Sequence, residues 1–290
     1  MKKNLSVVVD LPELSNLKVT GLKAAVVGGT GGIGQQIAHA LAARAAQVLV
    51  VGRTFRDAGK PGIDFLRADL SLMSEAQRVA AELPAETLDL VVFTTGIMAA
   101  SARQETAEGI ERDMAVSYLS RLVSLRGIGD RLRQGTRVFI MGYPGSGKAG
   151  TYDDLNAERS YKSMAVHMNT VAGNEMLVLD AAKRYPHLRV FGLNPGFVKT
   201  DTRANLLGAG SLRHRLLEGA VGLVTASAGT YAGRITPLLV VPELDQHTGV
   251  MFNNKGQAIQ PTQGLTDQHI EGFMTASAEL VSRAGVDIAR

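Results

Sequence analysis

Short apolar runs alternate along this chain with stretches in which apolar residues return at three- and four-residue steps. Ala24 to Val27, Gln47 to Val51, Ile63 to Leu66, Leu88 to Phe93, Thr136 to Met141 and Thr248 to Asn253 have the length and composition of buried strands, the last closing the series. Between them, Ile33, Ile37, Ala38, Leu41, Ala42 and Ala45 mark one face of a helix, Ser74 to Leu83 is amphipathic, and Met168, Val171, Ala172, Met176, Leu179 and Ala182 make a second apolar face. Thr225 to Leu239 and part of the tail from Thr266 to Arg290 also read as helical. Strands alternating with helices at this interval predict an α/β fold, a doubly wound parallel sheet with right-handed crossovers, in a single domain. Ligands on such sheets sit beyond the carboxyl ends of the strands.

Composition narrows the function classes. The chain has 290 residues, 45% of them hydrophobic, enough for one large α/β domain, and no linker or repeat divides it. Residues 1–21 form an extension ahead of the first strand, suited to a sheet edge; residues 22–290 form the domain. The net charge is +4, but basic residues are scattered singly, which argues against a nucleic-acid partner. Cysteine is absent, so disulfides and thiolate chemistry are excluded, and a reducing, cytoplasmic setting is expected. The opening MKKNLSVVVDLPELSN is too broken for a signal peptide, and no run of 18 apolar residues predicts a membrane span. Six histidines show no pair at ligand spacing on a helix, so no metal site is expected.

The chemistry concentrates after the first strand, where Gly28, Gly29, Gly31, Gly32 and Gly34 crowd the entry to a helix. Glycines let backbone approach a pyrophosphate closely, and a helix N-terminus offers unpaired N–H groups. A tight turn with no ligand is the plainer alternative. Gly28, Gly32 and Gly34 fall as G-x-x-x-G-x-G, which resembles the turn of the short-chain dehydrogenase/reductase family, with Val27 where the family usually has Thr. The resemblance runs from about Leu22 to Ile259. It implies a Rossmann-like fold, a nicotinamide dinucleotide cradled by the turn with Thr30 and Ile33, and oxidoreduction of a small-molecule carbonyl or alcohol. An Arg after the second strand suits the 2′-phosphate of NADP, whereas a carboxylate there would suit NAD. Arg53, with Arg56 close behind, therefore points to NADP over NAD, the alternative being an ordinary surface Arg. Asp69 and Leu70 match the family's adenine contact, although Asp69 or Ser71 would also serve as a helix cap. Thr94-Thr95-Gly96-Ile97 stands where the family usually has the Asn-Asn-Ala-Gly wall of the cofactor site; the asparagines are gone and Gly96 keeps the pattern, leaving Thr95 and Gly96 in that role. Asn194 to Thr200 matches the family's P-G-x-V-x-T loop, which puts Pro195, Gly196, Val198 and Thr200 near the nicotinamide.

The resemblance breaks at the catalytic set. The family uses a Ser after the fifth strand and a Tyr with a Lys four residues on. Here Gly142 or Tyr143 takes the Ser position, and no Tyr in the chain has a Lys four residues later. Counting back from the Asn194 loop puts the Tyr and Lys positions near His167 and Val171. The helix Asn that supports a relay water in the family falls at Ser117. His167, Tyr143 and Tyr161 remain as candidate proton donors. A Tyr without a cationic neighbour donates but is a poor base, while a His does either. Their plainer readings are a satisfied helix histidine, a pocket wall and a solvated loop. Gly142 to Lys148 also fits a phosphate-binding G-x-x-x-x-G-K, but Ala149 offers no hydroxyl to Mg²⁺ and Gly150 interrupts the helix. Residues 201–225 read as a substrate lid. The helices around Ser117 and Val171 form dimer faces in relatives, so a homo-oligomer is one expectation; Arg112, Asp113 and Arg121 as solvated charges is the other. Losing Ser, Tyr and Lys together motivates a second function, a dinucleotide-binding sensor or interaction protein without hydride chemistry.

Overall fold

The computed structural model describes residues 1–196, 198–199 and 226–288; Thr200 and the lid expected over 201–225 lie outside them. In the main sheet of the described residues seven strands run parallel: β1 (Lys23–Val27), β2 (Gln47–Gly52), β3 (Ile63–Arg67), β4 (Leu90–Phe93), β5 (Arg137–Met141), β6 (Arg189–Leu193) and β7 (Val250–Phe252). The two-residue strand β8 (Ala258–Ile259) pairs antiparallel with β7, giving the order β8-β7-β6-β5-β4-β1-β2-β3. The strand order reverses between β1 and β4, which opens a crevice at their carboxyl ends.

Strands β6 and β8 depart from the sequence expectation, in which Thr248 to Asn253 ends the sheet. The apolar run of β6 is broken by Gly192, and the break has a packing cause: a β-carbon built there would lie 3.0 Å from Met251 Cγ on β7. Strand β8 is too short to show in a pattern and exists because the turn after Asn253 folds it back on β7.

Helices cover both faces. On one lie α2 (Met73–Glu82), α3, α4 (Ser163–Arg184) and α6 (Asp267–Arg283), around a core that includes Val91, Phe93, Tyr118, Leu122, Met176 and Phe273. Helix α3 begins at Arg112–Met114, widens into a π turn over Ala115–Leu119 and continues as Ser120–Ile128. On the other face, α1 (Gly32–Ala42) and α5 (Ala228–Ile235) pack with Ile37, Leu41, Phe139, Phe191, Tyr231 and Phe252. Helix α5 is shorter than expected because Pro237 has no N–H for the ladder and starts a 3₁₀ turn over Pro237–Leu239. At the far edge the N-terminal segment lies along β8, with Asn4 N donating to Ala258 O at 2.9 Å and Gln260 N to Lys2 O at 2.8 Å.

The start of α2 corrects one local expectation. Asp69 does not cap this helix; its Oδ1 accepts from Ser71 N at 3.1 Å and Ser71 Oγ at 2.8 Å, closing a turn before it. The cap comes from Glu108, in the loop leading to α3. Its carboxylate accepts from Met73 N at 2.5 Å, Ser74 N at 3.1 Å and Ser74 Oγ at 2.6 Å. A negative charge there also faces the positive end of the helix dipole. Glu108→Ala is expected to lower stability by about 1 kcal/mol, read as a lower urea midpoint with an unchanged m-value. An unchanged midpoint would mean that water caps α2 as well as the carboxylate does.

Candidate active site

The crevice is built first from glycines. Gly28 has a φ of +92°, and a β-carbon on it would lie 2.6 Å from Thr95 N. One on Gly34 would meet Thr94 Oγ1 at 2.3 Å. These two glycines let the turn sit against the end of β4, where Thr94 N donates to Val27 O at 2.8 Å. Gly31 differs: among the described residues its one close neighbour is Arg56 Nη1, 3.4 Å from where a β-carbon would be. It is also the N-cap of α1, extended in backbone and without a side chain, so among the described residues the first N–H groups of the helix at Gly32 and Ile33 have no capping side chain. Gly32 itself has a φ of +54°, and Thr30 packs over Gly52 at the end of β2. An uncapped helix start beside an arginine fits a phosphate group in charge and in donor geometry.

Around this turn stand the other residues expected to meet a dinucleotide. Arg53 and Arg56 are exposed and, among the described residues, make no hydrogen bond or ion pair. Asp69 is half-buried with one carboxylate oxygen engaged by Ser71, and the Leu70 side chain belongs to the core. Thr95 and Gly96 follow β4 directly. Pro195 and Gly196 follow β6 and are half-buried; Gly196, with a φ of +66°, donates its N–H to Asn194 Oδ1 at 2.9 Å. The backbone of Val198 pairs with Ala226.

Beneath Gly96 lies a polar chain that links the candidates Ser117 and His167 through Asp113, a residue the sequence reading left as a possible solvated charge. Asp113, in the first turn of α3, is 0% exposed. Its Oδ2 lies 2.8 Å from His167 Nδ1 on α4, and its Oδ1 accepts from Ser117 Oγ at 2.5 Å. Ser117 Oγ in turn accepts from Ile97 N at 2.9 Å, so the hydroxyl expected to hold a water instead ties the loop after β4 to the carboxylate. The first turn of α3 is held by Glu111, whose carboxylate accepts from Met114 N at 2.7 Å, while Glu111 N donates to Asn156 Oδ1 at 2.7 Å. Burial raises the Glu111 carboxyl pKa, against the pull of the Met114 and Asp113 N–H groups.

One turn further along α3, Arg121 is buried under the same loop. It donates to the carbonyls of Thr95 and Met141, at the ends of β4 and β5, and to Asn174 Oδ1 at 2.9 Å. Asn174 Nδ2 donates to Ser117 O at 2.8 Å and Thr170 O at 2.7 Å, joining α4 to the π turn of α3. Burial pulls the Arg121 guanidinium down to about 9, and the Asp113 charge opposes it. Asp113 and Arg121 are therefore not solvated charges. Packing withdraws them from water because each is matched by partners inside the fold.

The structure places the three candidate donors differently. His167 is partly exposed, with its side chain 22% accessible, and among the described residues its Nε2 has no partner. Tyr161 donates its hydroxyl to Ala100 O at 2.6 Å, and burial, with the Glu111 and Asp113 charges, raises its pKa. Tyr143 is half-buried in the loop after β5, and Gly142 takes the end of that strand, where a β-carbon would lie 3.1 Å from Asn174 Cβ. The roles of Asp113 and Arg121, read as possible solvated charges, did leave a trace. Both stand four residues from Ser117 along the same helix, which puts the three on one face.

The comparisons with known proteins agree with this architecture. The pattern described as short chain dehydrogenase matches residues 23–208. An uncharacterized oxidoreductase of Saccharomyces cerevisiae, YKL107W, is 45% identical over 98% of this chain and 95% of its own. A Streptomyces protein provisionally named daunorubicin C-13 ketoreductase DnrU is 25% identical over 85% of this chain and 87% of its own. Among solved structures, a short-chain dehydrogenase/reductase from Serratia marcescens superposes with a TM-score of 0.61 at 21% identity, covering 83% of this chain and 99% of its own.

Removing Arg121 tests how far the site depends on it. Arg121→Leu withdraws the shared donor from two backbone carbonyls and an amide, with an expected loss of about 3 kcal/mol or more in urea unfolding. Arg121→Lys should recover only part of it, since an ammonium lacks the planar fork. A loss below about 1 kcal/mol would mean that water replaces the guanidinium there.

Proposed function

The chain belongs to the short-chain dehydrogenase family, and we propose that it is an NADP-dependent carbonyl reductase in which His167, oriented by Asp113, handles the proton. The family generally binds NAD(P), and oxidoreductase relatives imply a small-molecule substrate. The observation that carries the finer reading is the 2.8 Å contact between His167 Nδ1 and the buried Asp113 carboxylate, made near the helix position at which the resemblance implies the family's tyrosine.

The residues that would hold the dinucleotide are Gly31, Gly32 and Ile33 through their N–H groups, Arg53 at the 2′-phosphate, Asp69 and Leu70 at the adenine, and Thr95, Gly96, Pro195, Gly196, Val198 and Thr200 toward the nicotinamide. The bound dinucleotide supplies the hydride. With Nδ1–H donated to Asp113, Nε2 is the ring atom that faces outward, and in the imidazolium form it donates a proton to the carbonyl oxygen as the carbon accepts hydride. The Asp113 carboxylate fixes the ring and stabilises its charged form. Ser117 and Arg121 keep that carboxylate in place, the first by direct donation and the second as a buried countercharge. Atoms and charge balance: one hydride and one proton convert the carbonyl to an alcohol, and solvent reprotonates the ring.

A ketone as the substrate class draws support from the name of the Streptomyces relative. The absence of the Ser, Tyr and Lys set supports a second reading, a protein that binds the dinucleotide and turns nothing over. Two measurements separate them. Calorimetric titration should show tighter binding of NADPH than NADH, with Arg53→Ala weakening NADPH selectively. NADPH oxidation across a panel of ketones and aldehydes should then fall about 100-fold in kcat for His167→Ala and less steeply for Asp113→Asn, with the Kd for NADPH unchanged. Turnover that survives His167→Ala removes the histidine from the chemistry. Tight NADPH binding with no oxidation in the wild type favours the sensor.

A further inference from the structure

The loop between β2 and β3 carries a clamp that the proposed chemistry does not use. Its residues alternate: Arg53, Thr54 and Arg56 are exposed, whereas Phe55 is half-buried and Asp57 is 3% exposed. Phe55 stacks on Phe65 of β3, with ring centroids 4.8 Å apart and planes 9° from parallel. Asp57 is fastened to α1. Its Oδ2 accepts from Gln35 Nε2 at 3.0 Å, and its Oδ1 lies 2.8 Å from His39 Nε2 and 3.0 Å from Lys60 Nζ. Gln35 and His39 are four residues apart on one face of that helix, so both reach the same carboxylate.

A buried carboxylate with three donors is costly to leave unpartnered, so this loop has one preferred seat on the helix. Burial alone would raise the Asp57 carboxyl pKa, but the hydrogen bonds from Gln35, Lys60 and His39 outweigh it and hold the group charged. Phe55 and Asp57 thus pin the loop on both sides of Arg56. The residue between the two anchors is the one whose guanidinium stands beside Gly31, over the uncapped start of α1.

We propose that Arg56 is a second 2′-phosphate ligand alongside Arg53, and that Asp57 is the positioning residue that gives the protein its preference for the 2′-phosphorylated dinucleotide. The helix start beside Gly31 takes the pyrophosphate, so an arginine whose backbone is anchored at its rim meets whatever charge the adjacent ribose carries. With the chain held on both sides of Arg56, the guanidinium reaches out from one seated base, and the clamp lowers the loop's share of the ordering cost. This inference rests on the NADP reading and deepens it.

The test uses the full chain and a probe without a nicotinamide, so hydride transfer does not enter. Binding of 2′,5′-ADP and of 5′-AMP, and of NADPH and NADH, is measured by calorimetry on the wild type and on Arg53→Ala, Arg56→Ala and Asp57→Asn. Arg56→Ala should weaken 2′,5′-ADP and NADPH about tenfold or more, with 5′-AMP and NADH within about twofold. Asp57→Asn should move the same ratio in the same direction by a smaller factor. Gln35→Leu combined with His39→Leu empties the helix side of the clamp without touching the loop, and should reproduce the Asp57 effect where Asp57→Asn folds poorly. A wild type that binds NADH as tightly as NADPH overturns the NADP reading itself. A wild type that prefers NADPH, with the preference lost in Arg53→Ala but intact in Arg56→Ala and in both clamp variants, overturns only the present inference.

Discussion

The buried carboxylate of Asp113 is the constraint on which the region around α3 and α4 turns. A carboxylate withdrawn from water must find donors, and the donors it finds come from its own helix and from α4. Ser117 reaches it from one turn along α3, His167 from across the helix pair. Each donor is fastened elsewhere: Ser117 to the loop after β4, and α4 through Asn174 to the carbonyl of Ser117. The π turn of α3 lies in the middle of these contacts, at the kind of position where such turns collect in other proteins. A charge that would destabilise the fold alone thereby fixes the relation between two helices and two strand ends.

The glycine-turn half is organised by backbone rather than by charge. Positive φ angles at Gly28 and Gly32, and the room left by Gly34, bring the start of α1 against the end of β4. The two halves meet at Thr95. Its N–H packs on the glycine turn, while its carbonyl accepts from Arg121 beside the Asp113 network. A displacement of Arg121 would therefore be felt on both sides of the crevice.

Much of this was legible in the sequence wherever the relevant residues are close together in it. The glycine turn, the arginine after β2 and the strand-helix alternation are all short-range patterns, and all fall within segments that fold as continuous elements. The site chemistry was less legible because its members are 54 residues apart, as with Asp113 and His167, and a spacing rule has no reach at that distance. The four-residue recurrence of Asp113, Ser117 and Arg121 was present, but polar residues on a helix ordinarily face water. Only the packing of α4 shows that this face is interior. The cap on α2 is of the same kind, since the capping carboxylate lies 34 residues from the helix it ends.

The edge of the sheet has a consequence for solution behaviour. Strand β8 is the outermost member on one side, and an exposed outer strand offers unpaired backbone groups to any other extended chain. Here the chain covers that edge with its own beginning, through Lys2, Lys3 and Asn4. At the opposite side, β3 ends the sheet with the charged side chains of Asp64 and Arg67 turned outward. The protein thus guards its two margins by different means, one by occupation and one by charge. Its colloidal behaviour should respond to loss of its first few residues on one side and to ionic strength on the other.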